Sequence, residues 1–182
     1  MKTVQKYHGA SIVLHWLMFL LLIAVYGCIE LRELFPKGSE PRELLKTWHF
    51  MLGLSVFSLV WLRLLFRFIT TQPKIEPPQP VWQARLATAM HAALYLMMVG
   101  MPLAGWIILS AEGKSIPFFG LELPALVAAN EELAGTVEDI HETIGTAGYY
   151  LIGLHTIAAL FHHYIQRDNA FLRMLPGGKR II

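Results

Sequence analysis

The sequence predicts an all-α fold, an integral membrane four-helix bundle, and three observations carry that expectation. Of the 182 residues, 55% are hydrophobic and only 15% charged, and the mean hydropathy is +0.48, the composition of a chain that resides in lipid. Four apolar stretches, about 12–29, 48–69, 87–109 and 141–165, approach the roughly 20 residues that a crossing helix needs. Lysine and arginine also collect on alternate connections, as successive crossings predict. The four stretches use nearly the whole chain, 1–182, as one membrane domain and leave no room for a separate soluble one.

The first stretch follows Lys2 and Lys6 in the manner of a signal peptide, but Tyr26-Gly27-Cys28-Ile29-Glu30 offers no small-residue cleavage site. It reads as a retained signal-anchor helix. Cys28 is the one cysteine; without a disulfide partner it reads as a small packing residue. The loop from Glu30 to Trp48 carries Phe35-Pro36 among mixed charges and suggests a short interfacial helix. After the second stretch, the run Pro73-Lys74-Ile75-Glu76-Pro77-Pro78-Gln79-Pro80 cannot continue a helix and favours a stiff, extended crossover. Pro102, within the third stretch, predicts a kink whose freed carbonyl needs a neighbour. The loop from Ser110 to Ile140 holds a Pro-Phe-Phe-Gly turn, then an acidic stretch of helical character, Asn130 to Asp139, expected to lie over the outer end of the bundle. The chain shows no internal repeat, low-complexity tract or heptad pattern.

Charge sets the orientation. With the N-terminus inside, the inner segments hold Lys2, Lys6, Arg63, Arg67, Lys74, Arg85, Arg167, Arg173, Lys179 and Arg180 against only Glu76 and Asp168. The outer loops hold Arg32, Lys37, Arg42, Lys46 and Lys114 against eleven carboxylates. Both termini are therefore expected in the cytoplasm. The formal net charge of +2 hides two surfaces of opposite sign, and nothing in it suggests a nucleic-acid partner.

Eight histidines in a small membrane protein demand an account, because ionisable groups inside a bilayer are costly and usually functional. His141 and His155 are fourteen residues apart, on nearly one helix face and separated by roughly 21 Å along the axis. His49 opens the second helix at the depth of His141, and His15 lies in the inner half with His155. Two bis-histidine sites result, one per leaflet, each suited to a b-type haem held between facing imidazoles. Zinc would want its ligands clustered in one small site, which the separation along the fourth helix excludes for His141 and His155. Gly53 follows His49 by four residues and Gly145 follows His141 by four, while Gly148 stands seven from both His141 and His155. These positions clear the ligand face of bulk where a tetrapyrrole would lie; the competing explanation is helix packing through small residues.

The remaining histidines leave alternatives open. His91 and His162, with Arg85, are positioned to line an inner pocket for a quinone head group, whose carbonyls need donors and whose reduction needs protons; they serve equally well as interfacial anchors or haem-propionate donors. His8 reads as an exposed terminal residue. Arg63 and Arg67 either snorkel to head groups or pair with inner haem propionates. Arg32, Lys37, Arg42 and Lys46 form the one cationic cluster on an acidic outer surface, either a guide for a small anion or a solvated loop.

The segments Ser11-Ile12-Val13-Leu14-His15-Trp16, Trp48-His49, Ile140-His141-Glu142-Thr143, Gly153-Leu154-His155, His162-His163-Tyr164 and Leu172-Arg173-Met174 together resemble the bacterial cytochrome b561 family over nearly the whole chain. Arg32 and the Phe35-Pro36 loop are most similar to its superoxide oxidase branch. The resemblance implies a multi-pass protein of the bacterial inner membrane with two haem b groups, ligated by His15 with His155 and by His49 with His141. It further implies electron passage from superoxide at the periplasmic side to ubiquinone, a superoxide:ubiquinone oxidoreductase that needs no protein partner. It places His162 as the quinone contact. Similar four-helix cytochromes serve as electron-transfer subunits linking a dehydrogenase or hydrogenase to the quinone pool, which is the alternative. No side chain is expected to act as a nucleophile, because the cofactors carry the chemistry.

Overall fold

The computed structural model describes residues 4–177; Lys2, Lys179 and Arg180 of the charge argument lie outside the described residues. Helix α1, Gly9–Leu31, begins behind His8, whose side chain accepts from the Ala10 amide at 3.3 Å. The connection to α2 forms only one 3₁₀ turn, Arg32–Leu34. No separate interfacial helix follows, because α2, Glu40–Ile69, starts well ahead of the apolar span, with Pro41 and two glutamates in its first turn. Helix α3, Val81–Ala111, starts behind Pro80 and continues through Pro102.

Helix α4, Glu131–Phe161, is capped by Asn130, whose side chain accepts from the Leu133 amide at 3.0 Å. The acidic stretch expected over the bundle end is instead the first turns of α4. The Asn130 cap and two glutamates start a helix there, and no proline stands between Asn130 and Phe161 to stop it. The helix closes in a π-helical turn, His162–Gln166, and a left-handed Arg167 (φ 56°). All four helices are long and apolar enough to cross a membrane. Exposed Phe68, Leu96, Tyr150 and Ile157 form part of the surface such helices present to lipid.

Between α3 and α4 the chain folds a small antiparallel hairpin, β1 Ile116–Phe118 and β2 Leu121–Leu123, with Phe118 opposite Leu121. Phe119 and Gly120 at its tip both have positive φ, the two-residue turn that matches strand twist. Sequence reading finds only the turn there, not the strand pairing. Ile116, Phe118 and Leu123 pack on Leu54 and Leu109, seating the hairpin on α2 and α3.

A core of Met18, Val56, Val60 and Met98 joins α1, α2 and α3. Close backbone packing follows chain order, α1 on α2, α2 on α3 and α3 on α4. Helix α4 thus leans on α3, and side chains must fill the space separating it from α1 and α2.

At the end of the bundle opposite the hairpin, Tyr7 and Trp16 meet the C-terminal segment, which in turn meets the α2–α3 crossover. Tyr7 donates its amide to the Arg173 carbonyl at 3.2 Å, and Asn169 to that of Glu76 at 3.1 Å. The Trp16 indole donates to the Met174 carbonyl at 2.7 Å, and buried Arg173 donates to the Pro73 carbonyl. Burial pushes the Arg173 pKa down, opposed by Tyr7 and Asp168. Among the described residues, this terminal end of the bundle is therefore a hydrogen-bonded cap.

Candidate functional site

The space beside α4 is bridged by imidazoles at two levels. At the hairpin end, His49 of α2 faces His141 of α4 with ring centroids 6.3 Å apart and planes crossed at 73°. Nearer the terminal end, His15 of α1 faces His155 of α4 at 6.4 Å and 74°. His49 Nδ1 lies 3.0 Å from the Val25 carbonyl. A carbonyl only accepts, so Nδ1 carries the proton and Nε2 keeps its lone pair.

A cavity of about 700 Å³ opens at the hairpin-end pair and is lined by His49, His141, Gly53 and Gly145. That volume suits a cofactor site, typically about 300–1,000 Å³. The separation of each histidine pair leaves room for one metal atom with two metal–nitrogen bonds of about 2 Å. The His141 Nδ1 is buried with no well-formed hydrogen bond, and the Met101 backbone is the acceptor near this ring. Among the described residues no group of three or more His, Cys, Asp or Glu side chains gathers to hold an ion.

The glycines divide into two kinds. A Cβ at Gly53 would meet nothing within 4 Å, and one at Gly145 would meet Met101 Cε at 3.5 Å; both border the cavity. A Cβ at Gly105 would stand 3.7 Å from His141 Cε1, a neighbour that the sequence does not reveal. Gly148 departs from the expectation of cleared tetrapyrrole space: a Cβ there would collide with the hydroxyl of Tyr26. That hydroxyl donates to the Gly145 carbonyl at 2.9 Å. The Tyr26 ring lies 4.4 Å from that of Tyr149, whose hydroxyl donates to Glu30 at 2.5 Å.

His91 and His162 have different nearest partners. The His91 ring lies 5.4 Å from His155, whereas His162 Nδ1 is 2.5 Å from the carboxylate of Asp168. Among the described residues no hydrogen bond or ring contact joins these two histidines or brings in Arg85. Asp168 is only 4% exposed and also accepts from the Ala170 amide at 2.8 Å. The left-handed turn at Arg167 folds Asp168 back onto His162, a contact that linear spacing conceals.

At the cavity rim the cationic cluster is largely neutralised. Arg32 Nε lies 3.0 Å from Glu33, Lys46 lies 2.9 Å from Glu43, and Lys114 lies 3.0 Å from Glu112. Arg42 is buried, donating to the Arg32 and Phe35 carbonyls at 3.0 Å and to Glu33 at 2.8 Å. Arg42 ties the loop together instead of facing water.

Fold and site together fit a class: membrane four-helix bundles with room for a cofactor between their helices. Residues 6–177 match the family described as prokaryotic cytochrome b561, and the chain belongs to that family. It is 39% identical to cytochrome b561 homolog 1 of Escherichia coli (strain K12) over 175 residues, covering 96% of this chain and 99% of that protein. It is 37% identical to a protein of Yersinia pestis named probable superoxide oxidase CybB over 172 residues, covering 94% and 97%. Cytochrome b561 homolog 2 of Escherichia coli (strain K12) is 29% identical over 181 residues. The chain is thus a membrane electron-transfer protein of oxidoreductase type, and b-type haem is the cofactor its family implies.

Proposed function

We propose that the chain holds two b-type haems, one between His49 and His141 and one between His15 and His155. With them it oxidises superoxide at the periplasmic face of a bacterial inner membrane and reduces ubiquinone to ubiquinol. The observation that carries this reading is the pair of matched imidazole gaps, 6.3 and 6.4 Å, fourteen residues apart along α4. The Yersinia pestis relative, named probable superoxide oxidase, supports superoxide as the donor. The alternation of basic and acidic segments supports a cytoplasmic terminal end, with the hairpin end in the periplasm.

Haem supplies one-electron carriage that no side chain offers. The chain's part is to orient and to supply protons. The Val25 carbonyl holds His49 in the tautomer that leaves Nε2 free to ligate. Arg32, at the cavity rim, is the cation assigned to guiding superoxide, with Glu33 fixing its direction. Two superoxide radicals each lose an electron to become O₂, and one ubiquinone gains two electrons and two protons. His162 and His91 are assigned to the quinone, with Asp168 on Nδ1 of His162 leaving its other nitrogen for a quinone carbonyl. No protein partner is required.

The test is steady-state quinol formation by the purified chain with enzymatically generated superoxide and a soluble ubiquinone analogue. One quinol per two superoxide radicals is expected. Quinol formation only after a dehydrogenase or hydrogenase partner is added would replace this reading with that of an electron-transfer subunit.

A further inference from the structure

Arg63 follows His49 on α2 by fourteen residues, as His155 follows His141 on α4. That spacing is close to four helical turns, so Arg63 occupies the face and depth on α2 that His155 occupies on α4. A ligand histidine stands at one place and a guanidinium at the other. Arg63 bonds Tyr95, which is one turn from His91, whose ring lies 5.4 Å from that of His155. Among the described residues no carboxylate pairs with it or with Arg67.

Around Arg63 is a small crevice of about 20 Å³, bordered by Ser11, Tyr95 and Arg67 and, toward the terminal cap, by Tyr7, Gln72 and Met174, with space for one small polar group. Ser11 is 8% exposed, and its hydroxyl is buried with no hydrogen-bond partner. Ser11 is one turn before His15, and Tyr95 is one turn after His91. Arg63 Nε donates to the Tyr95 hydroxyl at 3.2 Å, which leaves the tyrosine proton and both terminal guanidinium nitrogens free. The crevice therefore offers the Ser11 and Tyr95 hydroxyls and a two-pronged cation, a donor set that fits an oxyanion.

We infer that Ser11, Arg63 and Tyr95 form an oxyanion site that takes a propionate carboxylate of the haem seated at His15 and His155. The inference rests on the two-haem reading above. A lipid phosphate has the same chemistry, but Arg67, exposed one turn further along α2, is the residue a head group would meet first. Ser11 is buried, and Arg63 is half-buried, on the side of the histidines.

The test is potentiometry of the full-length holoprotein, following each haem separately. Arg63→Gln should lower the potential of the terminal-end haem and leave the other unchanged, because a cation beside a propionate disfavours the ferric charge. Arg63→Lys should recover most of the shift. Ser11→Ala should give a smaller shift of the same sign and is the milder variant should Arg63→Gln fold poorly. Arg63→Gln should also make that potential fall with rising pH as the propionate, freed of its cation, titrates; in chain reconstituted with haem b dimethyl ester, whose propionates are capped, this pH dependence should be absent. A pH dependence that persists with the capped porphyrin, or a wild-type potential that moves on delipidation, overturns the propionate assignment in favour of lipid phosphate. Unchanged haem content in His155→Ala would instead overturn the two-haem reading, and this site with it.

Discussion

The hydroxyl of Tyr26 occupies the space that a side chain at Gly148 would need, so a side chain of α1 reaches the α4 backbone between the two histidine levels. Gly148 lies seven residues from both His141 and His155. Met97 completes the contact, with its sulfur 2.9 Å from the position of a Cβ on residue 148. The bundle therefore has a waist of side chains separating its two candidate cofactor seats.

Gly148→Ala should destabilise the protein by about 1–3 kcal/mol through overpacking. Tyr26→Phe alone should cost about 1 kcal/mol for the lost bond to Gly145. In the double variant the colliding oxygen is gone, so the two losses should combine to less than their sum. Thermal unfolding of the four proteins in one detergent measures the coupling, and simple additivity would contradict the contact.

His49→Ala should halve the haem content and abolish reduction of the remaining haem by superoxide. His91→Ala should retain both haems even though its ring lies 5.4 Å from His155, because His15 already faces that ligand. A pyridine haemochrome count per chain distinguishes the two variants. Loss of haem from His91→Ala would transfer the ligand role.

His162→Ala should slow quinol formation by about 10²-fold, the usual effect of losing a positioned proton donor, while superoxide still reduces the haems at the wild-type rate. Asp168→Asn should show the same split more weakly, since the amide still bonds His162 without its charge. Equal slowing of haem reduction in either variant would place these residues outside the quinone step.

Arg42→Ala should cost about 1–3 kcal/mol, because two loop carbonyls lose their buried donor. Arg32→Ala should leave stability nearly unchanged and lower the superoxide rate, more at low ionic strength than at high. A stopped-flow series in salt checks the second half of this pair, and a salt-independent loss would remove Arg32 from guidance.

The four helices were legible because hydropathy and length are properties of the linear chain, and the histidines because their helical spacing translates directly into depth. What the sequence concealed depends on folding back. The pairing of Asp168 with His162 needs the left-handed Arg167, and the hairpin of Ile116 with Leu123 depends on packing against Leu54 and Leu109. Arg42 read as one more loop cation because nothing local reveals that it bonds carbonyls of residues 32 and 35. Gly148 was read by periodicity alone, which gives the face of a helix but not the neighbour that fills it.

The most direct measurement is the time-resolved visible spectrum of the purified chain as superoxide is added, with and without a soluble ubiquinone analogue. The account predicts fast reduction of two haems, then reoxidation matched by quinol when the analogue is present. Haems that remain oxidised under superoxide yet are reduced by quinol would contradict it.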